Sequence, residues 1–205
     1  MKKLVLVVLA AFLLCATGAF ADTVYTLNCT DVNVCGGAGY GTVTLHDNGS
    51  GGVVVTVDLN SGVGFVDTGG PHTPFAFNLN GVSTISVSNI TSGFTLLSTS
   101  AGSLGGTPFG NFDFGFQCCT AIGGANANYN DLSFTVNGVS ISDFIANDLG
   151  YFFVADLIFQ GNTGSIAANG STPPVPEPTS MALLGTGMFG LAGAIRRKLR
   201  RKLRK

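Results

Sequence analysis

The sequence predicts an all-β domain, a sandwich or jelly roll, on three observations. Segments with apolar residues at every second position recur through the middle of the chain. Clusters of Gly, Asn and Ser separate them, and Phe fills many of the apolar positions. Short alternating strands divided by turn residues are the pattern of two sheets packed face to face. The 205 residues suit one such domain once the terminal segments are set apart. A hydrophobic content of 45% with only 10% charged residues suggests a membrane protein, but much of that apolar content lies in two end segments.

The first end segment is residues 1–21. Met1–Lys3 is a short positive stretch, Leu4–Leu14 is apolar, and Ala19-Phe20-Ala21 places small residues at the two positions a signal peptidase reads. This is the order of a secretory signal peptide, with cleavage expected before Asp22. Cys15 follows Leu14, too bulky for the small-residue lipobox of a lipoprotein, so this cysteine is expected to leave with the signal.

Residues 22–169 form the expected β domain. In Gly41–His46, Val43 and Leu45 share one face while Thr42, Thr44 and His46 share the other. Val53–Leu59 repeats the pattern, and the Asp47-Asn-Gly-Ser-Gly-Gly52 turn cluster between them makes a hairpin. Phe75, Phe77 and Leu79 alternate with Ala76, Asn78 and Asn80. Phe112, Phe114 and Phe116 likewise fall on one face, as do Leu132, Phe134 and Val136 ahead of Asn137-Gly138. Tyr151–Phe159 alternates less and reads as a more buried strand. One helical turn is expected at Ser142–Asn147, with Ser142 as its cap.

Four cysteines remain after signal removal: Cys29, Cys35, Cys118 and Cys119. An even number in an exported chain points to disulfides, with three possible pairings. Adjacent cysteines bond to each other only with strain, so Cys29 and Cys35 are each expected to cross to the Cys118–Cys119 site. Such a bridge closes a loop of roughly 90 residues and would contribute about 4 kcal/mol by loop-closure entropy. The competing arrangement is a local Cys29–Cys35 loop with a Cys118–Cys119 bond. No Cys-x-x-Cys knuckle is present, so no metal site is expected.

The formal net charge of −1 conceals a segregation. Lys2 and Lys3 are the only basic residues before Arg196, and every Asp and Glu lies between those basic ends. A domain without Lys or Arg cannot neutralise phosphates, so no nucleic-acid partner is expected. No cofactor is expected either. The neutral-pH bases are His46, at a strand end, and His72, in the Gly69-Gly-Pro-His-Thr-Pro74 loop. No Gly-x-Ser-x-Gly elbow accompanies them, so no catalytic residue is assigned. Asp47, Asp67, Asp131 and Asp148 flank turns, where carboxylates bond to local backbone. An acidic domain also offers oxygens to calcium, although no EF-hand loop occurs. With no Trp, Tyr25, Tyr40, Tyr129 and Tyr151 are the polar aromatic rings on which a sugar could stack.

The second end segment begins with a proline-rich linker at 170–178, extended and accessible. An uncharged apolar stretch follows at 179–195, carrying Gly185, Gly187, Gly190 and Gly193, which suit close helix approach in lipid. The eighteen residues from Pro178 to Ile195 would span about 27 Å as a helix, enough for a thin bilayer. The basic tail 196–205, with Arg196, Arg197, Lys198, Arg200 and Arg201, orients its end toward the cytoplasm.

Val175-Pro176-Glu177-Pro178, then an apolar Gly-bearing helix, then a terminal Arg/Lys cluster, resembles the PEP-CTERM sorting signal. That resemblance implies a substrate of exosortase, a multi-spanning membrane enzyme with a cysteine nucleophile, which cuts near the motif. It also implies release or transfer to the exterior of a Gram-negative cell that makes exopolysaccharide. The expected protein is therefore a non-enzymatic surface or matrix protein. The alternatives are a calcium- or carbohydrate-binding module on the same route, and an enzyme using His72 with an aspartate.

Overall fold

The computed structural model describes residues 22–172 and Gly187. The expected signal peptide, the Val175–Pro178 motif, the basic tail and all of the 179–195 segment except Gly187 lie outside the described residues. Among the described residues, no helix is long and apolar enough to cross a membrane.

The strands, in chain order, are β1 Thr23–Leu27, β2 Gly41–Asp47, β3 Gly52–Leu59, β4 Val63–Phe65 and β5 Phe75–Leu79. They continue with β6 Ser86–Ser88, β7 Thr95–Leu96, β8 Leu104–Gly105, β9 Asn111–Phe112 and β10 Phe114–Gln117. The last five are β11 Leu132–Asn137, β12 Phe144–Ile145, β13 Phe153–Phe159, β14 Asn162–Ala168 and β15 Ser171–Thr172. One sheet runs β15-β1-β2-β3-β11-β6 and the other β14-β13-β5-β10-β7, with β4 on β13 and β12 on β5. β8 and β9 form a separate ribbon.

The β2–β3 hairpin forms as its sequence dictates. Register runs from Gly41 opposite Leu59 to Asp47 opposite Val53. In the turn, Asp47 accepts the Gly49 N–H at 2.8 Å, and the Asn48 carbonyl oxygen accepts those of Ser50 and Gly52. These side chains satisfy backbone donors that no strand partner reaches.

The two sheets enclose one core. Val43, Leu45, Val55, Val57 and Phe134 face Phe75, Phe77, Phe116 and Phe153 across it. Phe134 is a hub, with ring centroids 4.2 Å from Phe116, 5.7 Å from Phe77 and 6.1 Å from Phe75. The second sheet is covered on its other face too. A smaller cluster of Cys29, Ala76, Phe109, Phe112, Tyr151, Val154 and Ala167 seals it. Double coverage explains why every residue of β5 is buried, Ala76 and Asn78 included. It also explains why β13 hardly alternates in polarity.

Four sequence expectations require correction. Phe112 does not share a face with Phe114 and Phe116: the chain breaks strand pairing at Asp113, whose N–H goes to the Asn78 side chain at 2.7 Å. Phe112 then pairs with Leu104 in the β8–β9 ribbon and joins the outer cluster. The expected turn at Ser142–Asn147 is a 3-10 turn at Ile141–Asp143 followed directly by β12. Its cap is Ser140, not Ser142, because the Asp143 carboxylate accepts both the Ser140 N–H and hydroxyl. Ser171 and Thr172, expected to belong to the linker, extend the first sheet as β15, opposite Tyr25 and Val24.

The fourth correction concerns the disulfides. Cys29 bonds to Cys35, and Cys118 bonds to Cys119. The crossed pairing fails because the two sites belong to different packing regions. Cys29 is buried in the outer cluster, while Cys118 is buried in the core between the sheets. A tight reversal, with Thr30 N–H to Val34 O and Val34 N–H to Asp31 O, returns Cys35 to Cys29. Cys119 adopts φ of +67°, a left-handed conformation uncommon outside glycine and asparagine.

Candidate ligand groove and a buried aspartate cluster

An open groove of about 670 Å³ lies at the β7 edge of the second sheet. Phe94 and Thr95 form one side, the Cys118–Cys119 disulfide another, and Ala125–Asn130 the third. Gly93, Gln117 and Thr120 complete the lining, which contains no charged residue. Tyr129 is 61% exposed, whereas Tyr25 and Tyr151 are buried at 5% and 2%. Of the tyrosines named from sequence, Tyr129 therefore offers the open ring. Tyr40 packs edge-on against Phe159 at 6.0 Å.

The Tyr129 ring is seated rather than loose. A Cβ on Gly64 would stand 2.8 Å from Tyr129 Cδ1 and 2.9 Å from Cε1, so the ring lies directly on glycine backbone. The adjacent peptide is pinned from both sides: Phe65 N–H donates to Asn128 O, and Asn128 N–H donates to Phe65 O, each at 2.8 Å. Asn128 Oδ1 accepts the Asn130 N–H at 3.0 Å, which aims the Asn128 amide.

A second polar cluster sits on the outer face of the second sheet. The β13–β14 register sets Asp156 opposite Ser165. Asp156 is fully buried, and its Oδ2 accepts the Thr68 N–H at 2.8 Å and the Thr68 hydroxyl at 2.6 Å. Its Oδ1 has no hydrogen-bond partner among the described residues. Burial pushes this carboxyl above its ordinary range, and the two Thr68 bonds and nearby His72 pull it partly back. His72 Nδ1 lies 3.0 Å from the Ser165 hydroxyl. Asp67 accepts the Gly69 N–H and the Gln117 side-chain amide, tying this loop to the groove wall.

Ser165, His72 and Asp156 are thus neighbours, but not in hydrolase order. In a triad the acid bonds to the imidazole and orients it. Here Asp156 bonds to Thr68, and the imidazole meets the serine through Nδ1. Neither Asp156 nor Ser165 carries a sequence signal. Cross-strand register alone brings them together.

The remaining named residues have local roles. His46 Nδ1 pairs with Asp22 at 2.6 Å, with both side chains about half exposed. Asp47 and Asp67 each bond to a backbone N–H two residues on, as turn residues do. Asp131 accepts the Leu59 N–H, and its charge holds the neighbouring Asp58 carboxyl above the usual range. At the turn containing Asp148, Asn147 rather than Asp148 makes the local bonds. Among the described residues, no three His, Cys, Asp or Glu side chains gather where they could hold a metal ion.

No curated protein and no solved structure matches the chain. The match to a known family lies beyond the β domain, in the segment whose Pro-Glu-Pro, apolar and basic parts succeed one another. There, residues 174–198 carry the PEP-CTERM protein-sorting motif, which implies export and processing by exosortase.

Proposed function

We propose that this protein is a non-enzymatic passenger that ends at the cell surface or in the extracellular matrix, in association with exopolysaccharide. Residues 1–21 direct it through the inner membrane, and signal peptidase cuts after Ala21. The apolar 179–195 segment holds it in the membrane while Arg196, Arg197, Lys198, Arg200 and Arg201 keep the tail cytoplasmic. Exosortase then cuts near Val175–Pro178. The observation that carries this reading is the sorting-motif match at 174–198, which begins just after β15 closes the β domain at Thr172. Two intradomain disulfides suit an oxidising exterior.

The test is the intact mass of the protein recovered from producing cells, with and without exosortase. The expected mature species starts at Asp22 and ends near Pro176–Pro178, and the exosortase-deficient strain retains Met181–Lys205. Retention of that segment in both strains overturns the reading. A second reading, a calcium- or carbohydrate-binding module on the same route, is favoured in its carbohydrate form by the uncharged groove at Tyr129.

A further inference from the structure

The geometry points to the groove at Tyr129 as a binding site for a neutral glycan chain. This assignment names a ligand class for the matrix reading above, and rests on it for biological context but not for its test. A pyranose ring has an apolar C–H face and a rim of hydroxyls, so a site for it needs a flat apolar surface beside paired donors and acceptors. Tyr129 supplies the surface: the residue is 61% exposed, and its Cδ1–Cε1 edge is seated against the Gly64 backbone. A ring already fixed in position loses little freedom on binding.

The rim groups come from amides. Asn128 Oδ1 is engaged by the Asn130 N–H, while its amide nitrogen has no partner among the described residues. Asn126 donates to Ile122 O at 3.3 Å, and its side-chain carbonyl oxygen accepts no bond among the described residues. Gln117 is aimed by Asp67, and the Asn130 side chain has no bond of its own among the described residues. An amide presents a donor and an acceptor side by side, which matches two adjacent sugar hydroxyls.

Charge selects among sugars. No charged residue lines the groove, and the chain has no Lys or Arg between Lys3 and Arg196. A uronate or sulfated polymer would meet no counter-charge and an acidic domain. An uncharged chain pays neither cost. The open shape admits an internal segment of a polymer rather than only an end.

The test uses the protein recovered from cells, in whichever processed form it occurs, on an array of neutral oligosaccharides with alginate oligomers as the acidic control. The expected result is retention on at least one neutral chain and none on alginate. Tyr129→Ala weakens that binding about tenfold or more, and Tyr129→Phe keeps it, since the ring face carries the contact. Leu149→Ala, an exposed apolar change in another groove, leaves it unaltered. Thermal melts of all three variants confirm that the fold is retained. Binding to no neutral chain, preference for alginate, or loss at Leu149 instead of Tyr129 each overturns the assignment. Because binding is read in vitro, failure here is distinct from failure of exosortase processing, which the mass measurement reads.

Discussion

Replacing Thr68 with valine removes one hydroxyl at nearly constant shape and isolates what it does for Asp156. Asp156 Oδ2 receives two donors, the Thr68 N–H at 2.8 Å and the Thr68 hydroxyl at 2.6 Å, while Oδ1 receives none among the described residues. The variant leaves a fully buried carboxylate on a single backbone donor. A hydrogen bond to a charged group contributes about 1.5–3 kcal/mol. Thr68 is only half-buried, which places the expected loss near the lower end, about 1.5–2 kcal/mol at neutral pH. With a urea slope of about 2 kcal/mol/M, the unfolding midpoint falls by roughly 0.8–1 M and the slope is unchanged.

The pH dependence gives a second handle. The Asp156 carboxyl is raised in the fold above its ordinary value of 3.8, so between 3.8 and that raised value the folded state holds a proton that the unfolded state has released. For this group, stability rises as pH falls through the folded value toward 3.8 and is lowest above it. Thr68→Val removes a donor to the ionised form, so its deficit is greatest at neutral pH and narrows on acidification. A deficit below about 0.5 kcal/mol at pH 7, or one that widens as pH falls, refutes the assigned role of the hydroxyl.

Three further outcomes follow. Asp58→Asn removes the charge opposed by Asp131, so it raises the melting temperature at pH 7 and reduces the gain that the wild type shows between pH 7 and pH 4; an equal gain in both proteins contradicts the repulsion. Phe134→Ala removes the ring that meets Phe75, Phe77 and Phe116, and costs about 3–5 kcal/mol in urea unfolding; a loss under 2 kcal/mol would mean the sheets close over the gap. Trypsin leaves residues 22–195 uncut even in denaturant, as peptide mass mapping would show, because no Lys or Arg lies within them.

Legibility from sequence tracked how local each determinant is. The β2–β3 hairpin was readable because turn chemistry and alternation sit within one short stretch. Phe75 and Phe77 were readable because their face is the core, but burial of Ala76 and Asn78 between them depends on the outer cluster, assembled from β8–β9 and the Tyr151 region. Alternation from Phe112 to Phe116 continues in the letters while the backbone turns away at Asp113, a bond to Asn78 that no spacing reveals. The disulfide pairing is not legible in the sequence, because the alternatives differ in which packing region each cysteine enters. At the groove, Tyr129 was nameable as an aromatic. Its seat on Gly64 and its exposure come from a pairing between residues 65 and 128.

The short pairing of β15 with β1 has a mechanical consequence. Thr172 lies opposite Val24 and Ser171 opposite Tyr25, so the strand leading out of the domain is clipped beside its own first strand by two residues. Tension applied at Thr172 meets that clip before it meets β14, which is held along all seven residues from Asn162 to Ala168 by β13. Each residue released from the clip lengthens the chain by about 3.4 Å while both core sheets keep their register. The two-residue clip at the sheet edge is therefore the first contact that a pull on the exit strand would open, ahead of the seven-residue β13–β14 pairing and the Phe-filled interior behind it.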